Sequence, residues 1–265
     1  MYSWMHSLLG DHKGGIIFTC FGIWHILYLF LIFGSIIATV LCLRKRSERA
    51  KHIAVETAII LAFGLYMADF FLMPFAYGSI NIEKLPFHVC TTMCILNFWS
   101  RHNKFLGKFK TQLALLGLMS NFIYVMYPAG VEWHQVHPLS YRVAQTLLFH
   151  GAMAAYGIFV LVFETETLRW RDCWKELVLI VIMTCWALVG NTFYNANTEE
   201  YSYFFNWFFV VQDPFGILPL QISPYIMPGL VITTFFVADM LVYGAYFGIR
   251  KCFAGRAVST GTWIK

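Results

Sequence analysis

Long uninterrupted blocks of apolar residues recur through this chain of 265 residues, and they restrict its fold more than any other feature. About 18 or more apolar residues in succession are typical of a membrane-spanning helix. Within lipid, every backbone N–H and C=O group must be hydrogen-bonded inside the protein, so only helix bundles and closed barrels can span. Barrel strands alternate apolar and polar residues, whereas these blocks are apolar on all sides. The sequence therefore predicts an all-α, polytopic membrane protein.

The composition supports the same class, because only 12% of the residues are charged, against roughly 25% in soluble domains. Seven blocks are predicted to span the membrane as one seven-helix domain covering residues 1–265, and the third and fourth blocks are short. The predicted spans are Ile16–Leu43, Ile53–Met73, Leu85–Trp99, Thr111–Tyr127, Tyr141–Phe163, Trp174–Asn191 and Pro224–Ile249.

The basic residues predict the orientation of these spans. Sixteen of the nineteen Lys and Arg residues lie in the connectors after the first, third and fifth spans and in the C-terminal tail; the other three are Lys13, Lys84 and Arg142. Loops rich in Lys and Arg remain in the cytoplasm, so we predict an external N-terminus and a cytoplasmic C-terminus in a multi-pass protein of the cell membrane. This orientation explains the net charge of +5, and no nucleic-acid partner is expected.

Residues 192–223, between the last two spans, form an aromatic segment on the predicted outer face. Its centre is strongly aromatic, and Pro214 and Gly216 end that stretch. Trp and Tyr concentrate at membrane–water interfaces, so an interfacial aromatic belt is one interpretation. A re-entrant hairpin that lines a lipid-accessible groove is the alternative.

Ionisable residues within spans are costly to bury and are therefore candidate functional residues. The rise of about 1.5 Å per helical residue places five polar residues in the outer half of the predicted membrane: His25, Asp69, His88, His150 and Asn191. This shared depth would allow them to meet in one outward-facing cavity. Glu56 and Asp239 belong to the inner half and have less functional weight.

The fifth span carries a polar stripe, because Arg142, Thr146 and His150 follow one another at intervals of four residues and share one helix face. Arg142 could bind a phosphate or carboxylate group, and His150 could transfer a proton near neutral pH. The structural alternatives are that Arg142 extends to the membrane surface and that His150 hydrogen-bonds a neighbouring helix.

The start of the third span offers candidate nucleophiles. The positive end of the helix dipole would favour the thiolate form of Cys90 there. His88 lies two residues earlier, about 200° away around a regular helix, so the base for Cys90 would have to come from another helix, with His150 the best choice. The same geometry argues against a metal site, and we expect neither metal nor cofactor. An inert core thiol is the alternative for Cys90.

Short motifs give the chain a resemblance to a known family. The sequences LPFHVC at residues 85–90 and LLFHGA at residues 147–152, together with Gly190-Asn191 and Pro224-Tyr225, resemble the YwaF family of integral membrane proteins over nearly the whole chain. That family is related to the transmembrane-protein-164 acyltransferases, which move fatty acyl chains between phospholipids. A more distant similarity connects it to membrane hydrolases of fatty-acid esters that use a Thr and a His.

The resemblance implies that His150 is the counterpart of the acyltransferase histidine. In the acyltransferase motif a cysteine immediately precedes the histidine matched by His88, and here Phe87 occupies that position. The nucleophile therefore stays open between Cys90, Thr91 and Thr92, and loss of the chemistry in this branch is the alternative.

These observations favour a membrane-embedded lipid acyltransferase or lipid-ester hydrolase acting on membrane lipid, with phospholipid as the expected substrate. The predicted catalytic residues are His150, Cys90 and His88, and the predicted substrate-binding residues are Arg142, Asn191, Asp69 and Thr91. The competing hypotheses are a proton-coupled or small-solute transporter, suggested by the buried ionisable groups, and a non-catalytic membrane protein.

Overall fold

The structure is a computed structural model that describes residues 15–77, 84–164, 168–195 and 205–259. Every regular element in these ranges is helical, which confirms the all-α prediction. Seven helices have twelve or more residues: α1 (Ile23–Leu43), α2 (Glu48–Tyr77), α3 (Val89–Ser100), α4 (Lys110–Met126), α5 (Tyr141–Phe163), α6 (Cys173–Asn195) and α7 (Ser223–Ser259). A single helical turn, Ala129–Glu132, and short 3₁₀ turns lie between them.

Five helices, α1, α2, α5, α6 and α7, are long and apolar enough to cross a membrane. The chain is therefore a multi-pass membrane protein. Helices α3 and α4 contain 12 and 17 residues, fewer than the roughly 20 of a typical span. Most side chains of α4 are buried against neighbouring helices, so protein rather than lipid surrounds this short helix.

The bounds of α5 are those predicted, whereas α1, α2 and α3 begin four to seven residues away from the predicted positions, α2 at Glu48 rather than Ile53. Helix α3 begins at Val89 rather than Leu85, because His88 has an extended backbone (φ −82°, ψ 141°) and serves as the N-cap. Helix α1 begins at Ile23 rather than Ile16, after Phe21 with a φ of +60°. The Phe21 N–H, just before the N-cap of α1, donates to Nδ1 of His25 at 2.9 Å. This contact gives a partner to a backbone N–H that the helix itself cannot pair.

Helix α5 is the centre of the bundle and packs against α1, α2 and α4. Two glycines allow these close approaches. A Cβ on Gly151 would lie 2.9 Å from the Ile32 side chain of α1, and a Cβ on Gly157 would lie 2.5 Å from Cβ of Leu118 and 2.9 Å from the Ala114 carbonyl oxygen of α4. The α4–α5 contact therefore depends on the absence of a side chain at residue 157.

Gly157→Ala is expected to lower the free energy of unfolding by about 1–3 kcal/mol, because overpacking must push apart two helices in direct contact. Gly64→Ala in α2 is the matched control, since no atom lies within 4 Å of a Cβ built there. It should leave stability unchanged or raise it, because Ala favours helix by about 1 kcal/mol over Gly. Thermal unfolding of both variants in detergent measures the difference, and equal melting temperatures would contradict the packing described.

Candidate functional site

His150 lies in a rigid and largely buried environment on α5. Its ring stacks on Tyr124 of α4, with 4.0 Å between ring centroids, and Phe149 contacts it edge-on at 4.8 Å. Nδ1 lies 2.7 Å from the Thr146 carbonyl oxygen. A carbonyl oxygen only accepts hydrogen bonds, so Nδ1 carries the proton and Nε2 of the neutral ring has the lone pair. The structure thus fixes both the tautomer and the ring orientation that a general base requires.

His25, the other deeply placed histidine of the outer half, has a different role. Its Nδ1 accepts the Phe21 N–H, and its Nε2 donates to the Val125 carbonyl oxygen at 2.9 Å. Both ring nitrogens are therefore used to tie the start of α1 to the end of α4. His25 is a structural residue, whereas the hydrogen bonds of the described residues engage only one nitrogen of His150.

Lys84 is a site residue that the sequence analysis assigned only to the outer surface. Its Nζ lies 2.7 Å from Oδ2 of Asp69, whose side chain is buried, and its carbonyl oxygen accepts the Tyr66 hydroxyl at 3.0 Å. The charge of Lys84 also acts on His150. The structure therefore pairs Asp69 directly with a cation in the neighbourhood of His150. The signal in the sequence was Asp69 itself, because an acid within a span requires a partner.

The aromatic segment completes the site from the side of α6. Residues 192–195 of the predicted segment belong to the end of α6, and residues 196–204 lie outside the described ranges. Trp207 and Phe208 are buried in the main core cluster, and whether the segment is a belt or a hairpin stays a prediction. Phe208 and Phe209 have φ values of +59° and +54°, and the Phe209 ring meets the His88 ring edge-on at 6.0 Å. Such backbone strain in bulky residues is concentrated at functional sites.

The candidate nucleophiles have other partners in this structure. Cys90 is buried, and its thiol is hydrogen-bonded to Ser120 of α4 rather than to a histidine. The Thr91 hydroxyl donates to the His88 carbonyl oxygen at 3.0 Å, and the Thr92 hydroxyl donates to the Pro86 carbonyl oxygen at 2.6 Å. Both threonine hydroxyl groups are therefore bonded to the backbone at the start of α3.

The side-chain amide of Asn191, on α6, hydrogen-bonds the backbone of the aromatic segment. Its Nδ2 donates to the Trp207 carbonyl oxygen and its Oδ1 accepts the Trp207 N–H, both at 2.9 Å. Asn195, one turn later, makes the same two-bond contact with Phe205, at 2.8 and 3.1 Å. The neighbouring Gly190 leaves no room for a Cβ because Phe87 packs on it. This contact gives the Gly-Asn motif a physical function: it holds the segment against α6.

Asn191→Leu is expected to destabilise the aromatic segment by about 2 kcal/mol, because it leaves a buried N–H and C=O of Trp207 without partners. Amide hydrogen exchange should accelerate at residues 205–212 and stay unchanged at the centre of α5. Phe193→Leu is the control on the same helix, since Phe193 is 73% exposed. Unchanged exchange in the Asn191 variant would mean that the segment is held by other contacts.

Arg142 lies at the start of α5, two helical turns before His150, and its Nη1 is 3.4 Å from Nε2 of the exposed His134. It is half-buried and close to the predicted outer surface. The stripe of Arg142, Thr146 and His150 thus leads from the membrane surface into the bundle, and the Thr146 carbonyl is the group that orients His150.

A second polar cluster, which the sequence analysis missed, lies at the opposite end of the bundle beside an open cavity of about 620 Å³. Arg101, which follows α3, donates through Nε to Glu56 at 2.6 Å and through both terminal nitrogens to Glu164 at 2.8 and 3.0 Å. Lys110 adds a 2.7 Å ion pair with Glu164. Burial opposes ionisation of Glu164, but Arg101 and Lys110 outweigh it and lower the pKa of Glu164 to about 2. This cluster joins the ends of α2, α3, α4 and α5.

The described residues contain no group of three or more His, Cys, Asp or Glu side chains that could hold a metal ion.

The fold defines a helical, multi-pass membrane protein in which His150 is buried between α4 and α5. The chain belongs to the TMEM164 family, whose model matches residues 20–243 and so includes His88, His150 and Asn191. Membership of the YwaF family stays a prediction. Neither the curated proteins nor the solved structures contain a match to this chain.

Proposed function

We propose that this membrane protein is a lipid-modifying enzyme, an acyltransferase or an ester hydrolase, in which His150 is the general base. The observation that carries the proposal is the hydrogen bond from Nδ1 of His150 to the Thr146 carbonyl oxygen. It leaves Nε2 as the proton acceptor in a site where the Lys84 charge acts on the ring. Nine residues of helix place His150 about 13 Å from the start of α5, a depth that the acyl chain of a lipid reaches.

The proposed step begins when Nε2 of His150 takes the proton of an attacking hydroxyl group. The hydroxyl oxygen forms a bond to the ester carbonyl carbon of a phospholipid, and the carbonyl oxygen becomes an oxyanion. The Lys84 ammonium group would stabilise that negative charge, a contribution that is strongest in a site with little water. The C–O bond to the glycerol then breaks, and the leaving oxygen takes the proton back from His150. With water as the attacking group the product is a fatty acid, and with a lipid hydroxyl it is a new ester.

Covalent catalysis is the alternative route within the same proposal. Thr91 and Cys90 are the candidate nucleophiles, and the Thr91 hydroxyl would first have to give up its hydrogen bond to the His88 carbonyl oxygen. Cys90 would first have to give up its hydrogen bond to Ser120. In either case an acyl-enzyme forms, and a second acceptor releases the acyl chain.

The other predicted residues support the site in distinct ways. Arg142, near the outer surface, would bind the phosphate of the headgroup with its planar guanidinium. Asp69 holds the Lys84 ammonium group at 2.7 Å and so positions this charge. Asn191 holds Trp207 and thereby the wall of the site that contains Phe209.

We also propose that all seven helices cross the membrane, with the N-terminus outside and the C-terminus in the cytoplasm of a cell-membrane protein. Helices α3 and α4 would cross as a short pair surrounded by protein. The distribution of Lys and Arg supports this orientation. After fusion to residue 265, a reporter that works only in the cytoplasm should be active, and a reporter that works only outside the cell should be inactive. The opposite result would place the C-terminus outside and contradict the topology.

Identification of the product tests the proposed reaction. Purified protein is reconstituted into liposomes that contain a phosphatidylcholine with one deuterated acyl chain and an unlabelled lysophospholipid, and lipids are followed by mass spectrometry. Deuterated fatty acid identifies a hydrolase, and transfer of the deuterated chain to the lysophospholipid identifies an acyltransferase. Cys90→Ala and Thr91→Val, each close in size to the original residue, distinguish covalent from direct attack, because only loss of the nucleophile abolishes turnover. No labelled product from wild-type protein with either acceptor would contradict the proposal.

A further inference from the structure

Two acidic side chains are buried together where α6 and α7 approach the predicted inner membrane face. His150 lies in the predicted outer half of the bundle. Glu176 lies in the first turn of α6 and Asp239 lies within α7, and both are 0% exposed. Their charges interact directly with one another. Neither residue belongs to the outer site, and the proposed lipid chemistry does not use them.

The hydrogen bonds around this pair leave most of its oxygen atoms without partners. The Tyr243 hydroxyl donates to Oε1 of Glu176 at 3.3 Å, and Gln112 of α4 contacts the Tyr243 hydroxyl in turn. Within the described residues, Oε2 of Glu176 and both carboxyl oxygens of Asp239 have no hydrogen-bond partner. Among the described ion pairs, no Lys, Arg or His side chain joins Glu176 or Asp239, and the Cys173 thiol on α6 is a further titratable group that acts on Glu176.

Two ionised carboxylates in such a place would repel one another after losing their water, with nothing to compensate the cost. We infer that Glu176 and Asp239 form a binding site for one monovalent cation, a proton shared between the two carboxyl groups or a Na⁺ ion in its place. The available donors are all oxygen atoms, as a small hard cation requires. They are too few for Ca²⁺, which takes six to eight oxygen ligands.

The position of the site gives its occupancy a structural consequence. Helix α6 holds Glu176 at one end and the Asn191 contact with the aromatic segment at the other. Loss of the cation would separate α6 from α7 at the inner end. The inference does not depend on the proposed enzymatic activity, and the measurements below do not use lipid turnover.

Thermal unfolding of the purified full-length protein tests the inference. A proton held by the folded state stabilises it at low pH and is lost as the pH rises, so the melting temperature should fall between pH 5.5 and 8.5 in choline chloride. The fall should be about 3–5 °C for each pH unit by which the titration of the folded state lies above pH 5.5. Glu176→Gln and Asp239→Asn mimic the protonated carboxyl group and should abolish this fall. Glu48→Gln, at an exposed ion pair, is the control and should retain it.

Two further measurements distinguish a bound proton from a bound Na⁺ ion. Difference infrared spectroscopy detects the C=O stretch of a protonated carboxyl group, which should be present in wild-type protein at pH 7 and absent in Asp239→Asn. If Na⁺ binds instead, replacing choline by Na⁺ at pH 8.5 should raise the melting temperature of wild-type protein and leave that of Asp239→Asn unchanged. The inference is overturned if wild-type protein shows neither the carboxyl band nor the Na⁺ effect, or if the two amide variants behave like wild type.

Discussion

Replacing Arg101 by methionine is expected to lower the free energy of unfolding by about 3 kcal/mol, because the change leaves Glu56 and Glu164 without their shared cation. The Arg101 side chain is only 4% exposed and donates three hydrogen bonds to these carboxylates. Breaking a buried ion pair costs about 3–5 kcal/mol. The lower end applies here because Glu56 and Glu164 are 22% and 16% exposed and can regain some water.

Chemical or thermal unfolding in detergent measures this loss, with Lys51→Met as the control. Lys51 pairs with Glu48 at 2.7 Å, but Glu48 is 81% exposed, so the control should change stability by less than about 0.5 kcal/mol. The triple variant Arg101→Met, Glu56→Gln, Glu164→Gln removes the unpaired charges and should recover part of the loss. Equal stability of Arg101→Met and wild type would show that this cluster does not hold the four helix ends together.

The same cluster predicts acid sensitivity. The pKa of Glu164 is lowered from 4.5 to about 2 in the folded protein, so its ionised form contributes stability above pH 4.5. That contribution is lost as the pH falls from about 4.5 toward 2. The wild-type melting temperature should therefore decrease over this range more steeply than that of Arg101→Met, in which Glu164 has lost its main partner.

The second large effect is expected at His150. His150→Gln should reduce lipid turnover by about 10²–10⁴-fold, the contribution of a general base, while the protein remains folded. Glutamine approximates the size of the ring and can donate to the Thr146 carbonyl, but its amide does not accept a proton near neutral pH. His102→Gln is the matched control, because His102 is exposed at the opposite end of the bundle. It should retain wild-type turnover.

Lys84→Met should also reduce turnover, by weakening the stabilisation of the oxyanion, and it leaves Asp69 buried without its cation. For this reason Asp69→Asn, Lys84→Met is the informative variant, since it removes both charges. A defect in turnover that persists in this double variant at unchanged melting temperature assigns the Lys84 charge to the chemistry. Full recovery would show that Lys84 acts only by neutralising Asp69.

The helical class and the bounds of α5 followed from the sequence because they depend on local patterns. A block of apolar residues determines where a membrane helix can lie, and Tyr141–Phe163 was predicted with the bounds that the structure has. The N-terminus of α3 was not predicted, because Leu85–His88 is apolar enough to continue the helix and only its tertiary contacts prevent this. Phe87 packs on Gly190 of α6, and Trp186 donates to the Pro86 carbonyl oxygen at 2.5 Å.

The candidate site was predicted only in part, because depth in a membrane does not determine which helix faces meet. Asp69, His88 and His150 were expected at a similar depth, and among the described ion pairs the Lys84 ammonium group is a direct partner of Asp69 alone. Arg101 and Glu164 were missed, since charged residues at helix ends usually face water. Glu176 was missed for the same reason, and only its burial on folding distinguishes it from an ordinary first-turn acid.

The roles of His25 and His150 show most clearly what sequence could not provide. Both are single histidines in apolar helices at similar predicted depth. Their difference depends on hydrogen-bond partners from other elements: Val125 occupies the second nitrogen of His25, whereas Nε2 of His150 keeps its lone pair for a substrate.

The most direct test of a lipid-modifying His150 is the turnover of one deuterated phosphatidylcholine by wild-type protein and His150→Gln, reconstituted at equal density in the same liposomes. We expect labelled product from wild-type protein, at least 100-fold less from His150→Gln, and equal melting temperatures for the two proteins. Equal turnover by the two proteins, or no turnover by wild-type protein, would contradict the assignment of His150 as the base of a lipid-modifying enzyme.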